Sequence, residues 1–486
     1  MQSPWNPKPG DTVVRRPREA EIAPITVRVE RRSVSVRGPA SPMVLVYGFM
    51  IVILFGMILL MLPVSSRSGD FTPVVDALFT ATSAAAVTGL TVVDTYDHWN
   101  QFGQTVIMAL IFIGGLGFMT GAAFLLMIVG QRLGLQSQLL ARAGLGEAQL
   151  GVIANLVRRI VIFAAATQLV GALFLFIRWH VFGSLWEGIT WQQALWQSAF
   201  HSVSAFNNAG FDIVPDAVFG GSSLEPFKDD VPLLLIIAVL AIVGGLSYAV
   251  LEDVFLSRSF RRLRLDSKLV LIGTLGLLAV GIGVFLASEW TRPATIGEQS
   301  VGAKVTDSFF HAATARTAGF STTDYNEIGA ANQVSTEALM FIGGASASTA
   351  GGIKVGTFMV VVLAAIAIVR GRQHVNAFDR EIPSVIIQRA MVVGAMVTGL
   401  LIIFFAALMA IQPDLEFRRA LFEMVSAFGT VGLSTGITGD LNSGARVLIT
   451  IAMFIGRFGP LTLALLMAGH ETVEPYRFAE ERVRIG

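Results

Sequence analysis

The sequence predicts an all-α polytopic membrane protein: four pseudo-symmetric repeats of helix, pore helix, filter segment and helix around one central pore, with eight transmembrane helices. Three observations carry that expectation. The 486 residues are 53% hydrophobic and only 14% charged, where a soluble domain is about one quarter charged. Eight apolar runs are long enough to cross a bilayer. Four shorter, mixed segments lie between the members of each pair and share a pattern that ends in glycine.

The same composition excludes other classes. A net charge of +1 argues against a nucleic-acid-binding protein, which is plainly basic. Zero cysteines exclude a disulfide framework, a thiolate metal site and a cysteine nucleophile. Residues 1–42 form a polar basic tail with Arg15, Arg16, Arg18, Arg28, Arg31, Arg32 and Arg37 and no apolar core, so they are not a signal peptide. The tail reads as a disordered extension, with contact to anionic lipid or a partner as the other reading.

The apolar runs fall near 43–62, 105–130, 160–178, 232–254, 269–288, 336–369, 385–411 and 447–469. They divide the chain into repeats at 43–130, 152–256, 267–370 and 383–470, followed by a charged tail at 471–486. Basic residues gather on alternate connections: Arg132, Arg142, Arg158 and Arg159, then Arg258, Arg261, Arg262, Arg264 and Lys268, then Arg370, Arg372, Arg380 and Arg389. The positive-inside rule makes that face, and both termini with it, cytoplasmic in a cell (inner or plasma) membrane. The opposite connections are acidic, with Asp70, Asp94, Glu187, Asp212 and Asp230 among them.

The short segments lie near 73–86, 191–206, 303–315 and 416–428 and read as re-entrant helices, too short to span. Phe79, Phe200, Phe309 and Phe422 each stand ten residues before Gly89, Gly210, Gly319 and Gly432. Leu90, Phe211, Phe320 and Leu433 follow those glycines directly. A filter replaces the hydration shell of an ion with rings of backbone carbonyls. Aiming carbonyls inward needs dihedrals that glycine reaches at little cost. The competing reading, close helix packing at small residues, suits Gly114, Gly115, Gly117 and Gly121 within a span better. Asp94, Asp212, Asp324 and Asp440 follow the four glycines. They read either as an acidic mouth that concentrates cations or as solvated loop residues.

The four motifs resemble the filters of the Trk/Ktr/HKT superfamily of potassium transporters, over residues 43–486. The most specific match is Gly343 to Val355, similar to the intramembrane loop of that superfamily; Ile455 to Thr462 resembles its last helix. With only a polar tail before residue 43, the chain is closest to the Ktr membrane subunit, the KtrB type. The resemblance implies a K+ selectivity filter of Val87, Thr88 and Gly89, of Asn208, Ala209 and Gly210, of Thr317, Ala318 and Gly319, and of Thr430, Val431 and Gly432. It implies no enzyme and no cofactor in this chain, with K+ as the transported ion and Na+ as a candidate activator. It also implies a homodimer on a cytosolic nucleotide-binding regulatory ring of the KtrA/TrkA type, no nucleic acid partner, and a C-terminal tail near those contacts. Gly89 stands where some plant members carry a serine associated with Na+ preference, which favours K+. A Na+-coupled or Na+-permeable secondary cation transporter of the same fold is the alternative.

The sixth apolar run is too long for one span and is interrupted at 343–352 by Gly, Ala, Ser and Thr alone. Such backbone is tolerated at membrane depth where it lines a cavity. This predicts a gate at Gly343, Gly344, Ser346, Ser348, Thr349, Gly351, Gly352, Lys354 and Arg457. Arg457 lies within the final span, where a charge costs about 2.5–3.5 kcal/mol on insertion scales. It therefore either holds the loop, adds a positive barrier, or anchors one helix to another; Lys354 either joins the gate or snorkels. An intramembrane serine protease needs a histidine base beyond Gly344-Ala345-Ser346. Only His374, in a basic loop, and His470, at a helix end, follow it. His201 and His311 share no metal-ligand spacing.

Overall fold

The computed structural model describes residues 43–116, 153–183, 189–215, 223–346 and 348–458. Both tails, the 117–152 stretch and the end of the last apolar run lie outside the described residues. Among the described residues the regular structure is helical apart from one short hairpin, β1 (Asn376–Ala377) against β2 (Arg380–Glu381), antiparallel with Asn376 opposite Glu381.

Each quarter of the chain opens with an apolar helix: α1 (Met43–Met61), α4 (Ile153–Phe176), α8 (Leu265–Glu289) and α12 (Ser384–Ile411). A short helix follows each: α2 (Val74–Ala86), α5 (Trp191–Phe206), α9 (Val301–Thr314) and α13 (Phe417–Gly429). The α5 start is fixed by a capping box in which Thr190 and Gln193 exchange hydrogen bonds. The closing helices are α3 (Gln101–Gly115), α6 (Val231–Gly245) with α7 (Tyr248–Ser257), α10 (Ala330–Phe341) with α11 (Val355–Val369), and α14 (Ser443–Phe458).

Packing runs in a cycle. Each short helix lies against the opening helix before it. Each closing helix also reaches the short helix of the next quarter: α3 touches α5, α6 touches α9, α10 touches α13, and α14 returns to α2. The short helices are thereby enclosed, with Phe79, Phe200 and Phe422 fully buried. The opening helices instead turn large apolar side chains outward, among them Leu169 at 72% and Leu275 at 65% exposure. That outward apolar surface suits lipid, which is as apolar as leucine.

One expected span changes shape. Among the described residues, three unbroken helices are long and apolar enough to cross a membrane, and a fourth span counts the bent pair α6–α7 as one. The expected single span at 232–254 is bent by 94° between Gly245 and Tyr248. Ser247 turns the chain there at φ 66 and ψ 148, a region open essentially to glycine. The expected break in the sixth run is present between Phe341 and Val355.

The third quarter also differs from the other three in register. Phe79, Phe200 and Phe422 are fully buried, but in the third quarter it is Phe310, not Phe309, that is. In the other three, the amide before the glycine bonds back five residues, Thr88 to Ser83, Ala209 to Ser204 and Val431 to Ser426. In the third, Ala318 bonds back only four, to Thr314. The junction there is one residue shorter, so the buried ring moves one place along the helix.

Candidate functional site

The four sequence-marked glycines meet at one place. All have positive φ: +94 at Gly89, +68 at Gly210, +76 at Gly319 and +96 at Gly432. A Cβ on Gly89 would stand 2.3 Å from the Ala209 carbonyl oxygen, and one on Gly210 would stand 2.8 Å from the Gly319 Cα. One on Gly319 would lie 2.3 Å from the Val431 oxygen, and one on Gly432 would lie 2.2 Å from the Thr88 oxygen. Each glycine thus abuts the next segment in chain order, and the fourth abuts the first. No side chain fits between them, so the glycines are required twice over, by dihedral and by space.

Two residues before each glycine the backbone is left-handed again, at Val87, Asn208, Thr317 and Thr430. Sequence reasoning gave these no special conformation. Left-handed φ is uncommon outside glycine and is costly for the β-branched Val87, Thr317 and Thr430. It persists because the short helices hold it: Gly89 N donates to Ser83 Oγ and Gly432 N to Ser426 Oγ, both at 3.1 Å. Further braces join helix to outgoing chain. Gln197 donates to the Ile213 carbonyl at 2.6 Å, Arg419 to the Thr435 carbonyl at 2.8 Å, and the Thr322 hydroxyl to Asp307. These partners all stand three residues after their glycine.

On one side of the glycines a cavity of about 290 Å³ opens, lined by all four of them and by Ser321, Thr323, Tyr325 and Ser434. Asp94 and Asp212 line it as the acidic-mouth reading expects, whereas Asp324 and Asp440 are not among its lining residues. Asp324 instead caps its own turn by accepting from Asn326. Burial pushes the Asp94 carboxyl above the ordinary aspartate value, partly offset by the Asp97 amide that donates to it.

On the other side lies the 343–354 loop. It is held from five directions. The Thr349 hydroxyl accepts from Asn208 Nδ2 at 3.0 Å, and the Gly343 carbonyl from Arg316 at 3.1 Å. A Cβ on Gly351 would lie 1.8 Å from Thr430 Oγ1. Thr349 N and Ala345 N donate to the carbonyls of Gly244 and Gly245, at 3.3 and 2.9 Å, which the break after α6 leaves free. Finally, Arg457 donates to the carbonyls of Thr349 and Gly114. Lys354 does not snorkel: it turns back to the Ala350 carbonyl at 2.5 Å. Ser346 is exposed and Ser348 half-buried, while Gly352 turns the loop at φ +62.

One sequence signal for this arrangement was available. Gly114, Gly244 and Gly456 each press on the end of the short helix of their own quarter, where a Cβ would stand 1.8, 1.8 and 2.1 Å from the carbonyls of Ala85, Phe206 and Phe428. The first two are followed by a second glycine, the last by Arg457. The arginine occupies the place of a glycine, next to the helix ends. Asn208, Arg316 and the Gly244–Gly245 carbonyls were not legible as loop contacts, since each is distant in sequence from the loop it holds.

Residues 26–473 match the family of TrkH cation transport proteins. A Ktr system potassium uptake protein B from Bacillus subtilis is 42% identical over 433 residues, 88% of this chain and 93% of the relative. The potassium/sodium uptake protein NtpJ of Enterococcus hirae is 36% identical over 458 residues, 93% of this chain and 98% of that one. The crystal structure of the potassium transporter TrkH from Vibrio parahaemolyticus superposes with a TM-score of 0.65 at 19% identity, covering 86% of this chain and 84% of that one.

Proposed function

Because the chain belongs to the TrkH family of cation transport proteins, a transporter and not an enzyme family, we propose that it is the ion-translocating membrane subunit of a K+ uptake system. K+ enters the outer cavity past Asp94 and Asp212, whose charge raises the local cation concentration. It sheds water at the ring of Gly89, Gly210, Gly319 and Gly432, where Val87 and Thr88, Asn208 and Ala209, Thr317 and Ala318, and Thr430 and Val431 supply the flanking backbone. The C-terminal ends of the four short helices, which carry partial negative charge, face this region. The observation that carries the reading is the closed cycle of four left-handed glycines, each abutting the next. Such a ring is built for carbonyls at close quarters with an ion.

The loop from Gly343 to Lys354 obstructs the path on the inner side, and Arg457 holds it. The eight-helix, four-repeat arrangement, the cytoplasmic termini, the homodimer and the nucleotide-binding regulatory ring belong to the same proposal. A second reading has one observation in its favour: the relative NtpJ is named for potassium and sodium uptake together. Na+ then acts as an activator of K+ passage or as a coupled or permeating ion.

Rb+ and K+ uptake by a K+-uptake-deficient bacterium expressing the chain tests the proposal. Growth rescue at low K+ that is lost in Gly210→Asp supports it. No rescue with or without a regulatory ring, despite membrane expression, overturns it. Repeating the uptake with and without Na+ separates the two readings.

A further inference from the structure

Between Val254 and Arg264 the chain carries four arginines, Arg258, Arg261, Arg262 and Arg264, and no carboxylate. This stretch ends the arm that begins at Tyr248, where α7 leaves α6 at 94°. With α6 along the bilayer normal, α7 lies close to the membrane plane. Its inner side is fixed: Val250 is buried, Tyr248 packs edge-on to Phe163 at 5.7 Å, and Asp253 accepts from Arg264 N at 2.9 Å. Its outer side is apolar and open, with Phe255 73% and Leu256 76% exposed and Phe260 47% exposed beyond them. Arg258, Arg261 and Arg262 are exposed beside these side chains, and among the described residues they make no ion pair.

A helix in the membrane plane with exposed aromatic and aliphatic side chains bordered by arginines has the chemistry of an interfacial anchor. A basic cluster of this kind pairs with anionic headgroups, and its attraction grows with each charge near the surface. A soluble partner would leave Phe255 and Leu256 needing a matched apolar groove, whereas the bilayer supplies acyl chain and phosphate together. The arm is also joined to the loop. Three residues before Tyr248, Gly245 accepts from Ala345 N, and beside it Gly244 accepts from Thr349 N.

We propose that residues 248–264 are a docking site for anionic phospholipid headgroups, with Phe255 and Leu256 in the acyl layer, and that lipid bound there sets how firmly Gly244 and Gly245 hold the 343–354 loop. The lipid site stands without the transport reading; its effect on the loop rests on that reading.

The experiment uses the purified full chain with phosphatidylglycerol and phosphatidylcholine as probes. Native mass spectrometry counts bound lipid for the wild type, for Arg258→Gln/Arg261→Gln/Arg262→Gln, and for the matching triple lysine variant. The glutamine variant is expected to bind phosphatidylglycerol about tenfold more weakly, and the lysine variant to retain it. Equal phosphatidylglycerol binding by wild type and glutamine variant, or no preference over phosphatidylcholine in the wild type, overturns the site. Rb+ flux is then read in liposomes of phosphatidylcholine alone and of equal parts of both lipids. Wild-type flux is expected to differ at least about threefold between them, and the glutamine variant to lose the difference. Lipid binding that is lost with wild-type flux equal in both liposomes removes the link to the loop. A chain that binds lipid but passes no Rb+ in either lipid counts against the transport reading instead, since lipid counting does not depend on flux.

Discussion

The Arg457 guanidinium donates to the Thr349 carbonyl across 108 residues of chain, and by its other nitrogen to the Gly114 carbonyl. Three segments that are remote in sequence meet at one side chain: the closing helix of the first quarter, the loop of the third, and the closing helix of the fourth. A planar guanidinium with several fixed donors can bridge two carbonyls in this way, and an ammonium is a poorer substitute.

Arg457→Ala removes both bonds from the loop-closed state. A hydrogen bond from a charged donor contributes about 1.5–3 kcal/mol, and a net loss of ~1.4 kcal/mol already raises the open-to-closed ratio about tenfold. Flux of Rb+ into liposomes is expected to rise by that order. Arg457→Gln separates the roles, because it keeps a donor and removes the charge. Flux close to wild type in the glutamine variant assigns Arg457 to holding the loop, and flux equal to the alanine variant assigns it to a charge barrier. Unchanged flux in well-folded Arg457→Ala removes it from the gate.

The four ring glycines, proposed as the filter, should tolerate no side chain. Gly432→Ala places a Cβ 2.2 Å from the Thr88 oxygen at φ +96, so backbone must move, and the left-handed dihedral itself costs about 1–2 kcal/mol. Rb+ uptake is expected to fall to background. Gly48→Ala is the matched control, since nothing lies within 4 Å of its Cβ position. Near-wild-type uptake by Gly432→Ala would remove the ring from the ion path.

How much of this was legible follows from distance along the chain. The four glycines and the loop at 343–352 announce themselves locally, because dihedral demand and loss of apolar surface are written into short stretches. The slip from Phe309 to Phe310 was not visible, since a fixed spacing to glycine hides a junction one residue shorter. Asn208, Arg316 and the free carbonyls of Gly244 and Gly245 hold the loop only once the fold is closed. Ser247 gave no signal because the apolar run continues on both sides of it. Asp324 and Asp440 sit near their glycines in sequence, yet turn geometry keeps them off the mouth cavity.

Uptake should weaken as the outer medium is acidified. Burial raises the Asp94 carboxyl above its ordinary value in this structure. In the window between the ordinary and the raised value the folded protein binds more protons than the unfolded chain, so stability falls as pH rises through that window. Function runs the opposite way: protonation on the acid side removes a negative charge from the mouth. Rb+ uptake by the wild type is expected to drop across this window, and Asp94→Asn to show the lower uptake with a flatter profile. Identical pH profiles in the two proteins would take Asp94 out of cation attraction.

Ser247 supplies the final prediction, because its strain and its position coincide. At φ 66 and ψ 148 it occupies backbone space that is essentially reserved for glycine, at a cost on the order of 1–3 kcal/mol. Ser247→Gly relieves that cost and gives back about 0.4–1 kcal/mol through the freer unfolded chain. The balance favours the variant, so thermal unfolding in detergent should shift upward. A lower unfolding temperature would show that the serine side chain stabilises the turn by more than its backbone strains it. The same variant tests the hinge: the 94° bend frees the Gly244 and Gly245 carbonyls that hold the loop. A relaxed bend that keeps those bonds leaves flux unchanged while stability rises, whereas raised flux marks the strain as part of what positions the loop.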